Sequence, residues 1–176
     1  WKVYAGYQFN KYLGVEGGMV IIVADDPGMH SSQNEQDTRN YAKFAKIPVL
    51  EPADSQEALD FVKLGIEISE QFKTPVILRT TTRVSHSRSP VRPGERTPPR
   101  SVHFERDPKR FTPLPAWGRV LRRKVEARLG TLAEAASRSP ANRIEWGDRS
   151  LGIVAPGIAY LYVKEVFPEA SVLKLG

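Results

Sequence analysis

The sequence predicts an α/β fold, a parallel sheet with flanking helices, and three observations carry the prediction. Three apolar runs, GGMVIIVADD, IPVLEP and TPVILRTTT, have strand length and are rich in β-branched residues. Helix-length intervals separate them, and strands spaced in that way pair in parallel through right-handed crossovers. A second strand–helix–strand pattern, LGIVAP, IAYLYVKEVF and ASVLKL, restarts near residue 151.

The first run is continuously apolar between glycines and Asp-Pro-Gly, which suits a strand buried on both faces. After it, Ser32-Gln-Asn-Glu35 has the Ser-x-x-Glu spacing of a capping box, in which serine takes a free amide and glutamate reaches back, so a helix is expected from Ser32. Asp54-Ser-Gln-Glu57 repeats the arrangement before the second run's successor helix, with Ser55 as the other possible cap. That helix places Ala58, Val62, Ile66 and Ser69 on one stripe, widened by Leu59, Phe61, Leu64 and Ile68, and such an apolar helix must be mostly covered.

Charge divides the chain further. Residues 1–88 hold 10 Lys+Arg against 11 Asp+Glu, residues 89–150 hold 14 against 7, and residues 151–176 hold 2 against 2. The basic middle also holds 8 of the 14 prolines, so it can be neither one continuous helix nor an inner strand and reads as a surface strap. Within it, AWGRVLRRKVEARLGTLAEAAS puts Trp117, Leu121, Val125, Leu129 or Arg128, Leu132 and Ala136 on one helical stripe, leaving its arginines to solvent. ERTPPRSVHFERDPKRF mixes basic and aromatic residues, yet this packing explains the charge better than nucleic-acid binding does.

Composition removes whole classes of function. With 176 residues, 40% hydrophobic and no membrane-length apolar run, the chain has a core without a membrane span. It has no cysteine, so it can build no disulfide, thiolate metal site or iron–sulfur cluster, and three scattered histidines suggest no metal site either. Trp1 without a preceding Met or a signal segment makes the chain read as an internal piece of a cytoplasmic protein. Gly157 alone is far from a dinucleotide-binding glycine pattern.

Candidate chemistry gathers where the strands end. Asp25, Asp26, His30, Ser31, Ser32, Gln33 and Glu35 follow the first strand, over the carboxyl edge where open α/β sheets bind ligands. Asp25 and Asp26 do not form a catalytic dyad on this reading, because adjacent strand residues point to opposite faces. His30 could contact a substrate or donate a proton, or could equally be a solvated turn residue. Arg83, His86 and Arg88 leave the third strand at the same edge, and a turn there could hold a carboxylate or phosphate, or be a solvated basic rim. A polar loop with a capping box also needs no ligand at all.

VADDPGMHSSQNEQDTRNYAKFAKIPVLEP, followed by DSQEALDFVKLGIEISEQFKTPVILRTTTRVSHSR, closely resembles the alpha subunit of the indolepyruvate ferredoxin oxidoreductases, within the 2-oxoacid:ferredoxin oxidoreductase superfamily. The resemblance is strong over residues 14–92 and looser over the strap and the restart. It implies that 1–92 is the later portion of a pyrimidine-type thiamine-diphosphate-binding domain, 93–149 a linker with an amphipathic helix, and 150–176 the start of a transketolase-C-like domain. It further implies oxidative decarboxylation of arylpyruvates to acyl-coenzyme A, with thiamine diphosphate, magnesium and 4Fe-4S clusters in the full enzyme, and with ferredoxin and a beta subunit as partners.

The family's cofactor-activating glutamate, metal site and cluster cysteines have no counterpart in these residues, so Glu16 and Glu35 are not assigned that role. The chain alone is therefore expected to be inactive and to bind no cofactor. WKVYAGYQFN does not resemble the family segment expected there. The other reading is a non-catalytic binding or assembly module of the same ancestry.

Overall fold

The computed structural model describes residues 4–7, 13–96, 98, 106–111 and 114–176. Residues 97, 99–105, 112 and 113 of the Pro-rich strap and residues 1–3 and 8–10 of WKVYAGYQFN lie outside the described residues. The chain opens with an antiparallel pair, β1 (Tyr4–Tyr7) and β2 (Leu13–Glu16). Then follow β3 (Val20–Asp25), α1 (Arg39–Ala45), β4 (Val49–Leu50), α2 (Ser55–Phe72), β5 (Val76–Thr81) and α3 (Thr82–His86). From residue 108 on come α4 (Pro108–Phe111), α5 (Pro115–Ser137), β6 (Arg143–Glu145), β7 (Asp148–Pro156), α6 (Ala159–Val166) and β8 (Ala170–Leu175).

The first three apolar runs form one parallel sheet in the order β3-β5-β4. The last run, β5, takes the centre, and its first four residues are buried. This corrects the expectation for the first run. β3 lies at the edge, and Ile22 on it is 67% exposed, so it is not covered on both faces. Three runs of similar apolarity carry no record of which one ends up in the middle; only lateral pairing decides that.

α2 starts where its cap chemistry says. Asp54 is the N-cap and accepts from the Glu57 amide at 2.8 Å, while Glu57 Oε2 accepts from the Ala53 amide at 2.8 Å. Asp54, not Ser55, is therefore the cap. The helix buries Phe61, Gly65 and Ser69, one residue round from the centre of the expected stripe. Gly65 lets helix and sheet approach closely: a Cβ there would lie 2.9 Å from Val20 Cγ2. Leu50, Phe61, Val76, Leu78 and Ala141 make the core, joined by half-buried Val20, Val62, Leu64 and Ile68.

α5 carries the expected stripe, with Leu121 and Val125 buried against Trp117 and Pro115 opening its first turn. The final sheet has the order β6-β8-β7, parallel between β7 and β8 and antiparallel between β6 and β8. β6 has only three residues, too few for any periodicity to announce it. It places the start of this sheet at Arg143. Ala141, in the connection from α5, belongs to the core of the first sheet, so the restart packs on the first part of the chain. Among the described residues no helix is long and apolar enough to cross a membrane.

Candidate functional site at the carboxyl ends of the strands

β3, β4 and β5 run in the same direction, so Asp25, Leu50 and Thr81 end at one edge and the loops that follow share it. Asp26, just past β3, organises the first loop. Its carboxylate accepts from the amides of His30 (3.1 Å), Ser31 (2.7 Å) and Ser32 (2.6 Å), and from the Ser32 hydroxyl at 2.8 Å. The loop turns tightly enough to need left-handed backbone at Gly28 (φ 80°) and Met29 (φ 53°).

Here a sequence expectation fails. Residues 30–36 are not helical, and Ser32 does not cap a helix at Glu35; α1 begins seven residues later, at Arg39. The Ser32 hydroxyl and amide instead serve Asp26. A buried carboxylate is a stronger acceptor than anything a first helical turn offers a serine, and it gathers three amides that a helix would have left free.

The second loop meets the first through one side chain. Thr82 Oγ1, at the start of α3, donates to Asp26 Oδ1, tying the end of β5 to the turn after β3. Hydrogen bonds from Thr82 and from the Ser31 and Ser32 amides hold the Asp26 carboxyl far below the usual carboxylate range. Residues 82–86 form a short helix, where the sequence suggested a turn. Its Arg83 and His86 are exposed, as are His30 and Arg88.

Asp25 has different partners, as its opposite direction on the strand requires. Its carboxylate receives Arg79 Nε, the Thr38 hydroxyl, and the Thr38 amide at 2.7 Å, so it fixes the approach to α1. The Arg79 side chain is only 3% exposed and also faces Glu51 Oε2 at 3.1 Å and Asp37 Oδ1 at 3.8 Å. Arg39 closes the network, with Nε 2.8 Å from Asp37 Oδ1 and 3.7 Å from Glu51 Oε1. Arg39's hydrogen bond brings the Asp37 carboxyl down to about 2.

Beside this network lies an open cleft of about 670 Å³, lined by Val23, Asp25, Asn34, Glu35, Gln36, Asp37, Thr38, Asn40 and Tyr41. Its lining offers carboxylates, amides and hydroxyls, a surface suited to ligands that donate hydrogen bonds. Of the candidates from the sequence, Asp25 and Glu35 line it, Asp26 builds the adjoining loop, and His30, Ser31 and Gln33 sit exposed on that loop. Arg83, His86 and Arg88 are not among its lining residues. No group of three possible metal ligands occurs among the described residues.

The sequence reading missed Arg79, Asp37, Thr38, Glu51 and Thr82. Arg79 left a signal: an arginine inside VILRTT, a run otherwise fit for burial, must be given carboxylates by the fold.

Parallel strands with polar loops and a cleft at their carboxyl ends define an α/β protein of the open-sheet, edge-site class. No protein-family model matches the chain. Curated relatives do. It is 48% identical over 172 residues to the "indolepyruvate oxidoreductase subunit IorA" of Methanothermobacter thermautotrophicus, covering 94% of this chain and 28% of that protein. The same-named subunits of Thermococcus kodakarensis (48% over 176 residues) and Archaeoglobus fulgidus (43% over 171 residues) match 93% of this chain and 27% of their own length. The chain is therefore homologous, along nearly all its length, to part of the indolepyruvate oxidoreductase subunit IorA family, and it spans under a third of the length of these relatives.

Proposed function

We propose that these residues form part of an indolepyruvate oxidoreductase and that the loop from Asp25 to Glu35 borders its active site. One observation carries the reading: 43–48% identity over 93–94% of the chain to six subunits bearing that name. The name of these relatives specifies a subunit, which supports assembly with a further chain, the beta subunit. In the complete enzyme the substrates are an arylpyruvate and coenzyme A, and electrons leave to ferredoxin. Its cofactors are thiamine diphosphate, magnesium and 4Fe-4S clusters, and its place is the cytoplasm.

The residues in hand do not themselves fit these groups. There is no cysteine to ligate a cluster, and the carboxylates of the cleft would repel a diphosphate. Such groups belong to residues outside this chain or to its partner. The chain's own share is positioning and exclusion of water. Asp26 holds the His30 and Ser31 backbone in place, so these side chains are presented at the edge without a further ordering cost when substrate arrives.

The test is His30→Ala in the assembled enzyme, read as indolepyruvate-dependent reduction of an acceptor dye. Turnover should fall by about tenfold with circular dichroism unchanged. Unchanged kinetics with intact folding would remove His30 from the site. Calorimetry of this chain alone with thiamine diphosphate and magnesium should give no heat of binding.

A further inference from the structure

We propose that Gly157, in the turn between β7 and α6, is a positioning residue for the strand-end cleft: it lets Glu51 seat on Arg79, and Arg79 then holds the Asp25 and Thr38 that line the cleft. The second sheet thereby braces a site that lies wholly on the first. Its bearing on the reaction rests on the active-site reading given above.

The brace starts where β7 ends. After Pro156 the chain turns at Gly157, which is buried and has left-handed backbone (φ 50°). A Cβ there would lie 3.3 Å from Glu51 Oε2, 3.6 Å from Glu51 Cβ and 3.7 Å from the Pro52 carbonyl oxygen. Glycine supplies both the backbone angle and the close approach. The turn is itself pinned. The Gly157 carbonyl accepts from the Tyr160 amide at 3.1 Å, and the Tyr160 hydroxyl donates to Glu145 Oε1 on β6 at 2.7 Å.

Glu51 has little room to retreat. Its side chain is 12% exposed, and Pro52 and Ala53 behind it are buried. The Ala53 amide is held by Glu57 Oε2, which also takes Lys174 Nζ from β8, so the second sheet grips this segment at both ends.

From Glu51 the contacts lead to the cleft. Its Oε2, the oxygen beside Gly157, lies 3.1 Å from Arg79 Nη1. Arg79 turns Nε to Asp25, and Asp25 accepts from the Thr38 amide at 2.7 Å and from the Thr38 hydroxyl. Asp25 and Thr38 line the cleft, whereas Gly157, Glu51 and Arg79 are not among its lining residues. A charge network this poor in water transmits a displaced oxygen, because no solvent shell stands ready to replace the lost partner.

Hydrogen–deuterium exchange of the assembled enzyme, read by mass spectrometry on the peptide that holds the Thr38 amide, tests the brace with Gly157→Ala, Glu51→Ala and the double variant. Gly157→Ala should speed exchange there by about threefold or more, and Glu51→Ala at least as much. The double variant should be no faster than Glu51→Ala alone, since the added Cβ then meets no carboxylate. Val172→Ala, which opens a cavity in β8 away from Glu51, should leave this peptide at the parent rate. Gly157→Asn accepts left-handed backbone and keeps the Cβ, so it takes the place of the alanine variant should that one fail to assemble.

Parent-like exchange in the Gly157 variant, additive effects in the double variant, or equal speeding by Val172→Ala would overturn the proposal. Indolepyruvate turnover, measured on the same variants, separates it from the reading it rests on. Faster exchange with slower turnover supports both; faster exchange with turnover unchanged upholds the brace and takes the cleft out of the active site.

Discussion

Lys174 Nζ lies 2.7 Å from Glu57 Oε2, joining the last strand of the second sheet to the first turn of the helix that covers the first sheet. The lysine side chain is 0% exposed and its ammonium stands 4.7 Å from the Phe61 ring centroid. Glu57 also receives Arg143 Nη1 at 2.9 Å, and Arg143 continues to Glu145 at 2.9 Å. This ionic seam, 117 residues apart in sequence, sets how the restart docks.

Removing one member of a buried pair strands the other charge. Glu57→Gln should destabilise the chain by about 3–5 kcal/mol, because it leaves a buried ammonium without a counter-charge. Pairing it with Lys174→Met should restore a good part of that loss. Urea denaturation of the two single variants and the double variant measures the coupling directly; strictly additive effects would contradict it.

The same seam sets an acid limit. Burial pushes the Glu57 carboxyl up, but hydrogen bonds from Lys174, the Ala53 amide and Arg143 outweigh it, and the net direction is below the ordinary 4.5. A depressed folded value stabilises above the unfolded value and is lost as pH falls below it. Stability should therefore hold at neutral pH and decline as pH drops through and below about 4.5, and the decline attributable to this group should vanish in the Glu57→Gln/Lys174→Met variant. Denaturant midpoints measured from pH 7 to pH 3 check both slopes.

Arg79 is the other buried charge on which the fold depends. Arg79→Met removes the cation that faces Asp25, Glu51 and Asp37 at once, and Asp25 is itself only 2% exposed. A loss of about 3–5 kcal/mol is expected, with loosening of the approach to α1 that Asp25 holds through Thr38. Amide hydrogen exchange should speed up at Thr38 to Ala42 in this variant more than in α2.

Thr82→Val tests the tie between the two strand-end loops. It is nearly isosteric and deletes the hydroxyl that donates to Asp26, so it should cost about 1–2 kcal/mol. It should also raise the Asp26 carboxyl toward the ordinary carboxylate range, because the Thr82 bond is the largest of the effects that lower it. Carboxyl carbon NMR titration reads this; a titration unchanged from the parent would show that Thr82 does not hold the loop.

Gly65→Ala sets helix propensity against packing. Alanine favours an isolated helix by about 1 kcal/mol, but here its Cβ would press on Val20 Cγ2, and overpacking costs about 1–3 kcal/mol. A net loss is expected, and Val20→Ala in the same chain should relieve it. A more stable single variant in thermal melts would mean that β3 yields freely.

Much of this was legible in the residues. The three apolar runs announced strands, the intervals announced parallel pairing, Asp54-Ser-Gln-Glu57 placed a helix start to within one residue, and the α5 stripe included the two side chains of that helix that are buried, Leu121 and Val125. These are local signals, written in spacing and side-chain type, and each concerns neighbours within a few residues. The long match around VADDPGMHSSQ also named the relatives.

What the tertiary structure alone decided were choices between equal local options. Ser32 had a plausible glutamate three residues away, and Asp26 took it instead, because a buried carboxylate at a strand end draws in every donor within reach. The central place of β5, the exposed edge at β3, and the docking of the restart through Lys174 and Glu57 depend on partners 54 to 117 residues distant. No spacing rule reaches that far: which strand pairs with which, and which charge finds which counter-charge, is settled only when the sheets come together.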